Sequence, residues 1–267
     1  MNALPPLQKP AVHAEQVLIR AFLDDELPAG TALPGERQLA AKLGITRPTL
    51  RETLKKLDRD GWITIRQGKP TVVNDFWIEG GLNVLSAMVS TGRAVDPLFI
   101  AKLLEVRQVL APAYTCAAII HDPDRVVIQT ARHEELPDEA EAYCRFDWDI
   151  HHDLAVTSAN PVYPLILNGF RELYLDIGIA YFSLPAARRA SDRFYRTLGQ
   201  LARQRQSDAA ESLTKNVMRQ SIVYWAELQA NLNAQTTKTS EQGTGAAPEA
   251  MPPEPVIAEP AIEIDSR

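Results

Sequence analysis

The stretch Leu43 to Thr46 constrains the fold of this chain more than any other feature. Gly44 is the residue type best suited to the left-handed turn that ends a helix. Two residues later Thr46 can cap a new helix, with Pro48 in its first turn. Leu39, Ala40 and Leu43 give the preceding helix an apolar face. Leu50, Leu54 and Leu57 give the following helix another, while Arg47, Arg51 and Lys55 repeat every fourth residue on a different side. Upstream, Val12, Val17, Leu18, Ile19, Phe22 and Leu23 form a helical stripe that ends before the breakers Pro28, Gly30 and Pro34. Downstream, Trp62 to Arg66 reads as a strand, Gln67-Gly68-Lys69-Pro70 as a turn, and Thr71 to Asn74 as the returning strand. Helix, tight turn, capped helix and hairpin together predict a winged helix-turn-helix over residues 1–76.

Charge supports a polyanion as the partner of that region. The chain as a whole carries −6, but residues 36–70 hold nine Lys/Arg against four Asp/Glu, a local +5 that leaves −11 for the rest. Salt screens charges beyond about 10 Å, so DNA responds to the local patch. The third helix is expected in the major groove, its N-terminal end toward the bases. Arg47 and Arg51 suit a guanine edge, which accepts two hydrogen bonds from one guanidinium. Thr46 and Thr49, beside the free N–H groups of the helix start, suit phosphates. Arg37 on the second helix reaches toward a base or a phosphate. Gly68 and Lys69 at the wing tip suit the minor groove.

Beyond residue 76 the pattern is almost entirely helical to about residue 233, with breakers near Gly92, Pro123, Pro137, Pro161 and Pro185. An all-α bundle with a central pocket is expected there, making the fold mainly α. Asp75 to Asn83, with Gly80-Gly81, reads as a hinge between the two parts. Residues 234–267, with repeated prolines and no aromatics, read as a disordered acidic tail. No apolar run approaches the ~18 residues of a membrane span, and the start lacks the features of a signal peptide, so a cytoplasmic protein is expected. Cys116 and Cys144 read as reduced, buried side chains.

The motifs Leu33-Pro34-Gly35-Glu36-Arg37-Gln38-Leu39-Ala40, Gly44-Ile45-Thr46-Arg47-Pro48-Thr49-Leu50-Arg51-Glu52 and Leu57-Asp58-Arg59-Asp60-Gly61-Trp62-Ile63 resemble the GntR family of bacterial regulators. Gly68-Lys69-Pro70-Thr71, Val73 to Trp77, Gly81-Leu82-Asn83, Asn160 to Tyr163, Leu165 to Gly169 and Leu173-Tyr174 extend the likeness to its fatty-acid-responsive branch, over roughly residues 11–230. The resemblance implies a homodimer on palindromic, double-stranded operator DNA, released by long-chain fatty acyl-CoA. It implies repression of fatty-acid degradation genes and activation of unsaturated fatty-acid synthesis genes. It carries DNA contact to Arg37, Thr46, Arg47, Thr49, Arg51, Gly68 and Lys69. Ligand contact goes to Tyr174, Tyr181, Ser221 and Trp225, with Arg107 and Lys215 for the CoA end. Read alone, those aromatics serve a core equally well.

Three residues depart from that branch. Pro48 replaces a threonine, Gln67 a wing-tip histidine, and Met218 a glycine, the last expected to narrow the pocket. Relatives with helical sensor domains often hold a metal through one Asp and three His. Asp147 and His151 match the first two, but the others fall near Tyr195 and Arg219, and no histidine follows His152. No metal and no cofactor are therefore expected. Three rivals are the same head with an organic-acid effector, an acyl-CoA hydrolase, and a small interaction module with no DNA role, against which the compact basic segment counts. The hydrolase would need Cys144 and His151 as nucleophile and base, and they stand about two helical turns apart.

Overall fold

The computed structural model describes residues 9–91 and 97–242, with side chains except at 89, 90, 97 and 233–242. The chain divides into two compact units that part between Arg93 and Ala94.

In the first unit, α1 (Pro10–Leu23) buries Ala14, Leu18, Ile19 and Phe22, whereas Val12 from the expected stripe faces solvent. Helix α2 (Glu36–Lys42) ends at Leu43, and Gly44 takes the left-handed conformation at φ 63°. Helix α3 (Arg47–Arg59) starts at Thr46, whose hydroxyl accepts the Thr49 N–H at 3.3 Å. Leu50, Leu54 and Leu57 point inward, joined by Thr53. Strands β1 (Ile63–Thr64) and β2 (Val72–Val73) pair antiparallel, Ile63 opposite Val73 and Thr64 opposite Val72. A third segment joins them: Ala32 bridges Val72, and Leu33 N–H donates to the Thr71 carbonyl at 2.8 Å. The loop after α1 therefore closes the wing's inner edge.

The segment expected as a hinge is packed onto this unit. Asp75 caps the short helix α4 (Phe76–Glu79), and Phe76 lies 4.8 Å from Trp62, centroid to centroid. Gly61, at φ 87°, sits so close to α4 that a Cβ there would be 2.7 Å from the Glu79 carbonyl oxygen. Helix α5 (Asn83–Ser90) is tied down at both ends. Asn83 donates to the Asp60 carboxylate at 3.2 Å, and Arg20 donates twice to the Thr91 carbonyl, at 2.7 and 3.1 Å.

The second unit is a bundle of α6 (Pro97–His121), α7 (Pro123–Ala131), α8 (Ala140–Thr157), α9 (Val162–Phe182), α10 (Pro185–Arg203) and α11 (Ser207–Gln242), with a 3-10 turn at Arg132–Glu135. The expected breakers act as starts. Pro123 and Pro185 open α7 and α10 at positions that need no N–H, and Pro161 precedes α9. Gly92 lies outside the described residues. Tyr114, Phe146, Ile150, Leu154, Phe182, Phe194, Tyr195 and Leu198 form the core.

Two expectations shift. Helix α11 continues to Gln242, so residues 234–242 are helical rather than tail, and 243–267 lie outside the described residues. Leu98–His121 of α6 is long and apolar enough, by length and composition, to cross a membrane. One face of the helix packs on the bundle, with Ala111, Tyr114 and Ala118 buried and Arg107 paired to α8, while Leu98, Val106, Val109 and Ile120 are exposed.

Candidate functional site

The expected DNA face is assembled by α2, the turn and α3. Arg37, Arg47, Arg51 and Lys69 are all exposed, as is Gly68, at φ 71° in the wing turn. Thr46 and Thr49 stand side by side at the start of α3, their hydroxyl oxygens 2.8 Å apart. Pro48 occupies the first turn without disturbing the cap, because its missing N–H has no partner to serve there. The two arginines are not free. Arg51 Nε donates to Glu36 Oε2 at 2.8 Å, and the same oxygen lies 3.7 Å from Arg47 Nη2. Glu36, the first residue of α2, was not among the expected site residues. In the sequence it stood out only as one acid within a basic segment.

In the bundle, a cavity of about 120 Å³ runs between α6, α8, α9 and α11. Arg107, Tyr174, Tyr181, Ser221 and Trp225 all line it, together with leucines and isoleucines such as Ile100, Leu110, Leu173 and Ile177. Lys215 does not; it is exposed on α11. Met218 is buried but is not among the lining residues, so the expected narrowing of the pocket is not a direct contact. Its carbonyl accepts the Ser221 hydroxyl at 2.7 Å. The Trp225 indole N–H is buried without a partner.

One wall of the cavity is a polar knot that the sequence only hinted at. The Asp147 carboxylate accepts from Arg107 Nη2 at 2.6 Å, from the Tyr174 hydroxyl, and from the Tyr195 hydroxyl at 2.6 Å. Burial works to raise the Asp147 carboxyl. The Arg107 guanidinium, with the two tyrosine hydrogen bonds, outweighs it and holds the group below the usual carboxylate range. Beside it, the cavity-lining His151 and Tyr114 share a hydrogen bond of 2.8 Å between Nδ1 and the hydroxyl. Burial, reinforced by Arg107, pushes the His151 imidazole down to about 3, so it is neutral. Arg107 is thus spent inside the protein, on Asp147 and on the Tyr174 hydroxyl at 3.1 Å.

The same geometry bears on the rival chemistries. Asp147 and His151 do converge with Tyr195, but the carboxylate is taken by a guanidinium, and Arg219 is exposed on α11. That donor set does not fit a divalent metal, which wants four N, O or S ligands and repels an adjacent cation. Cys144 is no nucleophile. Burial pushes its thiol up to about 12, and its Sγ faces the Leu175 carbonyl at 3.5 Å rather than a base.

Comparison with known proteins matches two family models along the chain, which meet about 20 residues before the point where the two compact units part. The family model described as bacterial regulatory proteins, gntR family, matches residues 10–73, and that of the FadR C-terminal domain matches residues 74–237. A fatty acid metabolism regulator protein from Shewanella frigidimarina is 40% identical over 226 residues, covering 85% of this chain and 95% of that protein. Its namesake from Pasteurella multocida is 40% identical over 237 residues, covering 88% and 98%. That from Edwardsiella ictaluri is 41% identical over 225 residues, covering 84% and 94%. Among solved structures, Lar, described as controlling the Listeria monocytogenes agr system, aligns with a TM-score of 0.58 at 17% identity. The alignment covers 85% of this chain and all of that one, a likeness of fold. The matched domains and relatives are those of transcription regulators, not enzymes.

Proposed function

The chain belongs to the GntR family of bacterial transcription regulators, with a FadR-type C-terminal domain, and from that premise we propose that it regulates fatty-acid metabolism as an acyl-CoA-controlled switch. A homodimer binds a palindromic operator in the cytoplasm through two copies of the α2–α3 head. Long-chain fatty acyl-CoA enters the helical unit and releases the DNA. The genes repressed are those of fatty-acid degradation, and those activated are for unsaturated fatty-acid synthesis.

The observation that carries this reading is the convergence of Arg107, Tyr174, Tyr181, Ser221 and Trp225, from three helices, on one largely apolar cavity. Its size says how a ligand must enter. Pockets for ligands of drug size enclose roughly 300–1,000 Å³. At about 120 Å³ the cavity is too small for a long acyl chain, so binding requires the helices to part. The ligand then favours a second conformation of the bundle, the requirement for a switch. Reversing a 1:99 equilibrium takes about 5.5 kcal/mol of differential affinity. At about 0.8 kcal/mol per buried methylene, roughly seven methylenes supply it. A long chain can therefore act where a short one cannot.

The Asp147 knot disfavours an organic-acid effector, because Arg107, the one cation lining the cavity among the described residues, already has a carboxylate partner. Titration calorimetry with oleoyl-CoA, octanoyl-CoA and small dicarboxylates tests the reading. Oleoyl-CoA should bind, and Trp225→Ala should weaken it at least tenfold. Binding of a dicarboxylate with no response to oleoyl-CoA would reverse the assignment.

A further inference from the structure

We propose that Glu36 is a specificity-determining residue of the DNA-reading head, acting by positioning Arg51 rather than by touching DNA. The inference rests on the DNA-binding role of α3 and goes beyond it. Arg51 Nε donates to Glu36 Oε2 at 2.8 Å. A guanidinium carries five N–H donors in a planar fork. With Nε committed, the terminal pair of nitrogens is left to face outward, in the end-on geometry that grips O6 and N7 of guanine. An unrestrained arginine can also present Nε and one terminal nitrogen side-on, or reach a phosphate. Glu36 removes those options and lowers the rotamer entropy lost on binding.

The surroundings fit a positioning role better than a stabilising one. Arg51 and Arg47 side chains are 59% and 58% exposed, and Glu36 is 37% exposed. Ion pairs that open to solvent contribute little to folding stability. A carboxylate on a face meant for phosphates also weakens general attraction to DNA, a cost that makes sense only if discrimination is gained. Glu36 opens α2, where backbone N–H groups and the helix dipole favour its negative charge. Arg47 Nη2, 3.7 Å from the same oxygen, is a looser partner. The positioning effect therefore falls on Arg51.

The test uses the full chain. An operator is first selected from random duplexes with the wild type. Binding to that operator and to its single-base variants is then measured for wild type, Glu36→Ala, Glu36→Gln and Arg51→Ala. Glu36→Ala should lose about tenfold of the discrimination at the base pair where Arg51→Ala loses it, and gain affinity for random DNA. Glu36→Gln keeps an acceptor for Nε. It should retain most of the discrimination yet bind random DNA more tightly, which separates orientation from charge. Unchanged discrimination in Glu36→Ala, or a uniform loss across all base pairs, overturns the proposal while leaving the DNA-binding role intact. Failure of the wild type to select any duplex overturns both.

Discussion

At the scale of single residues, Arg51 and His151 carry the sharpest expectations. Arg51→Ala should cost about 1–3 kcal/mol of operator affinity and relax base preference at one position, read by quantitative gel shift on operator variants. His151 offers a pH signature of the buried knot. Its folded imidazole sits at about 3 against an ordinary 6.5, faced by Tyr114, Asp147, Arg107 and Phe194. Between those values the unfolded chain binds a proton that the folded chain does not. Stability is therefore fully present above about pH 6.5 and is lost as pH falls toward 3. From pH 7 to pH 5 this one group should remove about 2 kcal/mol. Urea unfolding of His151→Gln at the two pH values should show a correspondingly smaller loss than wild type. Residue roles were unevenly legible in the sequence. Arg47 and Arg51 were found because four-residue spacing on a capped helix fixes a face. Glu36 was not, because its partner lies 15 residues away across a turn whose geometry a linear pattern does not contain. Arg107 was expected at the CoA end, yet it is tied to Asp147 and lines an inner wall. Only packing decides which buried charge finds which partner.

At the scale of elements, α4 and α5 behave as part of the first unit rather than as a loose connection. Gly61 is the contact that allows it. A methyl group there would meet the Glu79 carbonyl oxygen and Gly80 Cα, and φ 87° strains any side chain. Gly61→Ala should destabilise the first unit by about 1–3 kcal/mol and alter the fluorescence of Trp62, whose ring lies tilted against Phe76. A melting temperature equal to wild type would contradict the packing described for α4. The glycine pair Gly80-Gly81 suggested a hinge, since glycine reads as freedom in a sequence. Here Gly80 supplies closeness instead, packing beneath Val84. The wing shows the converse. Its two strands were legible from β-branched alternation, but the added Ala32 bridge was not, because it comes from a loop with no strand pattern. Pro123 and Pro185 read as breakers in the sequence and in fact open α7 and α10, where a residue without N–H fits; Pro112 inside α6 was not singled out.

For the molecule as a whole, the fold class followed from periodicity: a head that mixes short helices with a hairpin, then a long helical region. The family resemblance added what periodicity cannot, namely that one bundle cavity would take an acyl chain. Cavity size then adds a condition that neither contained. Because about 120 Å³ is less than a long chain needs, the proposed acyl-CoA binding would be coupled to a conformational change. Two consequences follow. Acyl-CoA affinity should rise with chain length by up to about 0.8 kcal/mol per methylene, less a fixed cost of opening, up to the length the opened cavity holds. Binding should also raise hydrogen exchange along part of α6, α9 or α11 as the helices part. The central claim is the coupling of that event to the head. The test is fluorescence anisotropy of a labelled, selected operator bound by the full-length protein while oleoyl-CoA is titrated in, with butyryl-CoA and free CoA as controls. Oleoyl-CoA should free the DNA completely, and the two controls should do so weakly or not at all. Operator binding that persists at saturating oleoyl-CoA, shown bound by calorimetry in the same buffer, would contradict it.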